Sequence, residues 1–254
     1  MRLASPDALP VRASLWLGFY GLVLLAWGLT YELARGSGAA FCGSEAVRLL
    51  PLGGFAALFP MWVVMMAAMM LPTIVPTLCA YLDLPAAAGA SAAGWWGVVA
   101  GYAGVWLAGS AAFAGVQVLA LHNGWLDPAG AAASPLAAAA LLALAGFWQF
   151  TRTKTACQEA CLSPTLYYLA NWRPGLRGGL RMGVEVGLVC VGCCWAIMAL
   201  AFVGGTMSLL WMGLATVFMV VEKLPGIGMR LRRPAGLALL AAALALALRG
   251  AGGA

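Results

Sequence analysis

The sequence contains little charge. Asp, Glu, Lys and Arg make up 9% of its 254 residues, whereas 64% of the residues are apolar, and the mean hydropathy is +0.95. A soluble domain carries about 25% charged residues, so this composition excludes an ordinary soluble fold. Crossing a hydrocarbon layer of ~30 Å takes roughly 20 apolar residues per helix. We therefore expect an all-α, polytopic transmembrane helix bundle that forms a single domain over residues 1–254.

Histidine is nearly absent, because His122 is the only one in the chain. One histidine excludes a three-histidine zinc site and a two-histidine, one-carboxylate iron centre. The glycine-rich phosphate loop, the nucleophile elbow and the dinucleotide fingerprint are also missing from the sequence. The motifs therefore leave open whether the chain is an enzyme, and they name no catalytic residue.

Long apolar segments are plentiful. Seven are candidates for membrane spans: Ser14–Tyr31, Ala56–Leu82, Gly94–Leu121, Pro135–Phe150, Gly183–Phe202, Met207–Val221 and Ala235–Leu248. The last two are short and would need local thinning of the bilayer, so we expect six or seven spans. The first segment has no small-residue cleavage site of the usual kind, and we expect it to be retained rather than removed as a signal peptide.

The basic residues are unevenly distributed between the expected loops. With the N terminus in the cytoplasm, 11 of the 14 Lys and Arg residues fall in cytoplasmic segments. The positive-inside rule then predicts a multi-pass protein of the bacterial inner membrane with a cytoplasmic N terminus and the lipid bilayer as its surroundings. These residues flank the spans and form no separate basic domain, so we expect no nucleic-acid partner.

Five of the seven cysteines fall in two clusters, Cys157 and Cys161, then Cys190, Cys193 and Cys194. The first pair is spaced i and i+4, which places both sulfurs on one face of a helix. The second cluster lies in the fifth apolar segment, where a further sulfur, that of Met198, continues the same stripe. Thiolates are soft ligands that prefer copper(I), zinc or iron–sulfur iron. The alternative is that these small side chains only pack a helix interface.

Charged residues stand near the sulfur clusters. Lys154 lies one helical turn before Cys157, and a nearby ammonium group favours the thiolate form that binds metals. Glu222 ends the sixth apolar segment and Lys223 follows it directly. An ionisable group within a membrane segment is a functional candidate by default. We therefore expect Lys154, Glu222 and Lys223 to supply supporting charge.

Methionines form a third sulfur-rich feature, in the second apolar segment. Four are spaced so that they form neighbouring helical rows: Met65, Met66, Met69 and Met70. Thioethers are soft neutral ligands suited to copper(I), although methionine also fills irregular gaps in membrane cores. Pro72 and Pro76 each lack a backbone donor and predict a break in the helix just after the methionines.

The two cysteine clusters form either one site or two. On straight helices Cys190 lies roughly 13 Å into the membrane and Cys157 near the inner interface, so their sulfurs would be ~10 Å or more apart. This depth count favours two sites. A single site would require the fourth helix to run on past Arg152 and re-enter, with Lys154 buried close to Glu222.

These same segments resemble a bacterial family of predicted metal-binding integral membrane proteins. The resemblance covers residues 55–228 and is carried by Met65-Met66-Ala-Ala-Met69-Met70-Leu-Pro72, Lys154-x-x-Cys157-x-x-x-Cys161-x-x-Pro164, Gly187-x-x-Cys190-x-Gly192-Cys193-Cys194-Trp195-x-x-Met198, and Met212 followed by Glu222-Lys223. It implies a polytopic membrane protein that holds a metal. The first span and the Ala-Leu-rich tail lie outside the resemblance.

The sequence therefore predicts a protein that binds or moves a soft transition metal through Cys and Met ligands, with copper favoured and zinc or iron as alternatives. One rival hypothesis is a membrane-bound metal- or thiol-dependent oxidoreductase, or a subunit of one. Another is a scaffold in which the cysteines only pack. The partners would be other membrane subunits or a metal chaperone.

Overall fold

A computed structural model describes residues 9–35, 51–84, 89–206 and 208–251 of the chain. Within these ranges the regular structure is helical, apart from one isolated bridge between Leu126 and Ala132. The all-α class is therefore confirmed. Met207, where the sixth apolar segment was expected to begin, lies outside the described residues.

The described residues form eleven α-helices and one 3-10 turn. In chain order they are α1 (Leu9–Arg35), α2 (Pro51–Met70), a 3-10 turn (Pro72–Ile74), α3 (Val75–Leu82), α4 (Ala92–His122), α5 (Pro135–Trp148), α6 (Arg152–Leu162), α7 (Pro164–Asn171), α8 (Gly175–Ala199), α9 (Ala201–Gly204), α10 (Leu209–Glu222) and α11 (Gly228–Ala251).

Among the described residues, five helical segments are long and apolar enough to cross a membrane: Pro10–Arg35, Gly54–Leu82, Ala92–His122, Gly175–Gly204 and Gly228–Gly250. The fourth and sixth apolar segments of the sequence form the shorter apolar helices Pro135–Trp148 and Leu209–Glu222. The lengths thus separate five full-length candidates from two short ones.

Glycines allow α4 and α8 to pack closely along their length. A Cβ atom added at Gly183 would lie 2.9 Å from the carbonyl carbon of Val98, and one at Gly187 would lie 2.9 Å from the Val105 side chain. Only glycine lets two helix backbones approach this closely. The glycines of α8 therefore lie in a close helix–helix contact with α4.

This contact gives a first testable expectation. Replacing Gly183 by alanine should force α4 and α8 apart and destabilise the fold by about 1–3 kcal/mol, because the added Cβ overlaps backbone rather than a flexible side chain. Gly104→Ala is the matched control on α4, since an added Cβ there meets nothing within 4 Å. Thermal unfolding of the two purified variants in detergent would compare them, and equal melting temperatures would contradict this packing.

The second apolar segment is broken where its two prolines predict. α2 ends at Met70, the 3-10 turn spans Pro72–Ile74, and α3 begins at Val75. The break leaves Thr73 buried in the core, with its hydroxyl donating to the carbonyl of Met70 at 2.8 Å. The interruption therefore presents a polar side chain to the middle of the bundle.

The fourth apolar segment is broken as well. α5 ends at Trp148, and Thr151 caps the separate helix α6 by accepting a hydrogen bond from the backbone N–H of Lys154 at 3.1 Å. A threonine in this position satisfies a free backbone donor and fixes where a helix begins. The polar helix α6 thus starts as a new element directly after the apolar helix α5.

Side chains at the end of α5 and in α7 contact α8. The Trp148 indole N–H donates to the carbonyl of Gly192 at 3.2 Å, and the Tyr167 hydroxyl donates to the carbonyl of Met182 at 3.4 Å. Between them, α6 lies at one level of α8, since Lys154 and Cys161 both contact Cys193. The break between α5 and α6 lies level with Gly192, beside the cysteines of α8.

Candidate metal centre

Three cysteines of α8 form a buried cluster. Their Sγ atoms all lie within 4.8 Å of one another, with 3.3 Å between Cys193 and Cys194 and 3.9 Å between Cys190 and Cys194. The spacing i, i+3, i+4 brings them together because these positions share one face of a helix. All three side chains are buried. We refer to Cys190, Cys193 and Cys194 as the thiol cluster.

The helix α6 brings a fourth sulfur to this cluster. Cys161 Sγ lies 3.9 Å from Cys193 Sγ. Cys157 packs against α8, since a Cβ added at Gly192 would lie 2.6 Å from Cys157 Sγ. Both α6 cysteines are only partly buried.

The prediction of two separate cysteine sites is therefore wrong. It assumed a straight fourth helix ending at the membrane interface, which would leave the sulfurs of the two clusters far apart. The chain instead breaks between α5 and α6, and α6 continues alongside α8 and carries Cys161 to the thiol cluster. The single-site alternative, with the chain running on past Arg152, describes the observed arrangement.

Polar groups from three elements surround Cys190. The Lys223 ammonium lies 3.0 Å from Cys190 Sγ and 3.2 Å from Thr73 Oγ1. The Tyr102 hydroxyl is also 3.0 Å from this sulfur, and it lies 2.8 Å from Thr73 Oγ1. All four side chains are buried. Cys190 is thus the member of the thiol cluster that stands next to a positive charge and two hydroxyl groups.

A second buried cation lies beside Cys193. Lys154 Nζ donates to Glu222 Oε2 at 2.8 Å and to the carbonyl of Cys193 at 2.7 Å. The Lys154 side chain is 0% exposed and that of Glu222 is 3% exposed. Gln158 donates to the backbone carbonyl of Glu222 at 3.1 Å. The two full charges neutralise each other, and the Lys154 ammonium group has the carbonyl of Cys193 as a further acceptor.

The sulfur separations suit a soft metal ion. An ion with three coplanar bonds of about 2.3 Å holds its sulfurs about 4 Å apart, close to the distances within the thiol cluster. Tetrahedral zinc would require a fourth donor, and Cys161 is the nearest further thiol on the described residues. The donor set contains thiols and no carboxylate ligand, which disfavours calcium and magnesium.

The structure places the five predicted methionine ligands in the core of the bundle. Met65, Met66, Met69 and Met70 are all buried in the core, and so is Met198, one turn beyond Cys194. Met70 reaches the site through its backbone, whose carbonyl accepts hydrogen bonds from Thr73 and Tyr102. A metal-binding role for the five thioethers stays a prediction.

Two site residues have no signal of their own in the sequence. Tyr102 lies within the long apolar helix α4, and Thr73 is a lone threonine between two prolines. The proline pair does predict that the backbone near Thr73 is irregular and faces protein or a cavity. No pattern singles out Tyr102, because its position depends on the packing of α4 against α8.

The described helices and this site define a class of protein. It is a helical bundle with helices long enough to cross a membrane and with a buried thiol cluster suited to a soft metal ion. The chain belongs to the PpoB2 family, described as a copper chaperone family, whose model matches residues 59–246. No curated protein and no solved structure matches the chain.

The family match covers nearly all of the segment that carries the resemblance noted in the sequence. It also reaches residue 246 and so takes in most of α11. The Ala-Leu-rich tail up to residue 246 is therefore part of the region that the family model matches. All the residues of the thiol cluster, together with Cys161, Lys154 and Lys223, fall inside the match.

Proposed function

We propose that this protein is a copper chaperone of the inner membrane that holds copper(I) in the thiol cluster and passes it to an acceptor. The observation that carries the proposal is the convergence of three buried sulfurs where two broken helices meet α8. Broken helices at this depth occur where they line a site or a cavity. The family description supports copper as the ion among the soft metals that thiols bind.

The ligands in this proposal are the sulfurs of Cys190, Cys193 and Cys194. Copper(I) is a soft ion, and thiolate donors select it over harder cations. The copper is the cargo of the protein rather than a catalytic cofactor. Because the cluster is buried, bound copper would be shielded from water and from oxidants.

The surrounding cations balance the negative charge of the thiolates. Lys223 stands next to Cys190, whereas Lys154 is already neutralised by Glu222. In a site of low dielectric constant an unbalanced thiolate is costly, and a neighbouring ammonium group lowers that cost. Copper with three thiolates remains anionic, so Lys223 continues to be favourable after the ion has bound.

The membrane location is part of the proposal. The five long helices give the bundle enough apolar length, and their outward faces expose leucines such as Leu17, Leu24 and Leu119. Exposed leucines in this number suit contact with lipid tails. We propose that the broken α5–α6 segment and α10 complete the crossing, with the N terminus in the cytoplasm as the basic residues predict.

Reporter fusions test this orientation. A fusion after Ala170 in α7 should report a cytoplasmic position, and a fusion after Gly124 should report a periplasmic one. Both residues are exposed, so a fusion at either should leave the core intact. A periplasmic signal at Ala170 would reverse the orientation and place the α6 cysteines on the oxidising side of the membrane.

Metal content tests the copper proposal. Protein purified without chelators and loaded with copper(I) should retain about one ion per chain after dialysis, with zinc at trace level. Elemental analysis of the dialysed protein measures both metals at once. Failure to retain copper after loading would contradict the proposed copper binding and favour a packing role for the cysteines.

One observation favours the oxidoreductase as a second candidate. A largely apolar cavity of about 440 Å³ lies between α2 and α4, and Tyr102, which contacts Cys190, forms part of its wall. Such a cavity has room for a lipophilic ring. Turnover of a quinol by the copper-loaded protein would support this candidate, whereas a chaperone should show none.

A further inference from the structure

Cys161 occupies a boundary position in the site. Its sulfur lies 3.9 Å from Cys193 Sγ, yet its side chain is only partly buried, in contrast to the whole thiol cluster. Beside it is a small cavity of about 20 Å³, which Thr77, Tyr167 and Val186 also line. A space of this size accommodates a single water molecule or ion. Cys161 therefore connects the buried sulfurs with the outside of the bundle.

The face of α6 that points away from α8 is polar. Arg152, Thr153 and Glu159 are exposed along it. The charged start of α11 lies next to it, since Arg232 donates a hydrogen bond to Thr155 and Arg233 is exposed. Exposed charges of this kind require water rather than lipid tails. Water therefore reaches the outer face of α6. The approach to the thiol cluster is at Cys161, whose side chain is partly exposed on the inner face.

We propose that Cys161 is the exchange ligand through which copper(I) moves between the thiol cluster and a soluble thiol carrier. This inference rests on the proposed function. A copper ion held by Cys190, Cys193 and Cys194 lies in a buried cluster, out of direct reach of a soluble carrier. The short distance from Cys193 to Cys161 gives it a sulfur to move to before the carrier binds.

The transfer is a series of ligand exchanges at sulfur. For release, Cys161 gives up its proton as its Sγ binds copper, and Cys190 takes up a proton as its bond to copper breaks. Thiolates of the carrier then bind copper at Cys161, and the bonds to Cys193, Cys194 and Cys161 break in turn as these sulfurs take up protons from water. Copper stays in the +1 state throughout and no electron is transferred. Loading follows the same steps in reverse.

The two cysteines of α6, Cys157 and Cys161, have different surroundings. Cys157 packs its sulfur onto the backbone of α8 at Gly192. Cys161 places its sulfur 3.9 Å from Cys193 Sγ and also lines the small cavity. The exchange role is therefore assigned to Cys161.

The test compares release rates in the full-length protein loaded with copper(I). Bicinchoninate, a water-soluble copper(I) chelator, serves as the acceptor, and its colour reports the rate of transfer. Cys161→Ser should retain the same copper content as the unmodified protein but release it at least about tenfold more slowly. Ala156→Ser is the matched control, because it adds the same hydroxyl at an exposed position of the same helix.

The outcomes separate this role from others. Faster release, or loss of copper, in Cys161→Ser would show that Cys161 is a holding ligand and would overturn the inference. An unchanged rate would overturn it as well. Cys161→Met, which returns a soft sulfur, should release copper faster than Cys161→Ser. Failure of the unmodified protein to bind copper would instead overturn the proposed function itself.

Discussion

Replacing Cys190 and Cys194 together by serine is expected to reduce retained copper from about one ion per chain to near zero. Serine keeps the size of the side chain but removes the soft donor. A single remaining sulfur of the cluster, at Cys193, does not enclose an ion. Elemental analysis of the dialysed double variant after copper loading measures the loss.

A control variant shows whether the loss is specific. Cys79 is exposed on α3 and lies outside the thiol cluster, so Cys79→Ser should retain the full amount of copper. The double variant should still elute as a folded protein, because cysteine-to-serine changes alter little volume. Copper retained by Cys190→Ser/Cys194→Ser would move the site to Cys193 with Cys161, or to the methionines of α2.

Breaking the buried ion pair is expected to have the largest effect on stability. Lys154→Met leaves the Glu222 carboxylate buried without its partner, which costs about 3–5 kcal/mol. Detergent-induced unfolding of the purified variant measures the free energy of unfolding. The pair Arg173–Glu185 supplies the control, because about a third of each side chain is exposed. Arg173→Met should therefore cost about 0–1 kcal/mol.

The double variant Lys154→Met/Glu222→Gln tests the cause of that loss. Because it removes both charges, it should recover much of the stability that Lys154→Met loses. A double variant as unstable as Lys154→Met would show that the packing of Lys154 matters more than its charge. In that case the ion pair would not explain why α6 is held against α10.

The sequence predicts much of the site, for identifiable reasons. The spacing of Cys190, Cys193 and Cys194 places three sulfurs on one face of any helix, so their proximity follows without tertiary structure. Pro72 and Pro76 likewise predict the break after α2, because proline lacks the backbone donor that a helix needs. Lys154 and Glu222 stand out as charges in or beside apolar segments.

The remaining features depend on long-range packing. Cys161 can lie beside the thiol cluster only because the chain breaks between α5 and α6. The residues Gln149–Thr151 contain neither proline nor glycine, so the sequence does not predict this break. The Thr151 cap is a local hydrogen bond, whereas the bond from Trp148 to Gly192 forms only once α8 is packed beside α5. Tyr102 is equally invisible in sequence, since its contact with Cys190 exists only between packed helices.

Copper binding by the thiol cluster is tested most directly by X-ray absorption spectroscopy at the copper edge of the copper-loaded protein. We expect copper(I) bound by three sulfur atoms at about 2.3 Å, without nitrogen or oxygen neighbours. In Cys190→Ser/Cys194→Ser this sulfur shell should disappear. A first shell dominated by nitrogen or oxygen in the unmodified protein, or a sulfur shell that persists in the double variant, would contradict copper binding by the thiol cluster.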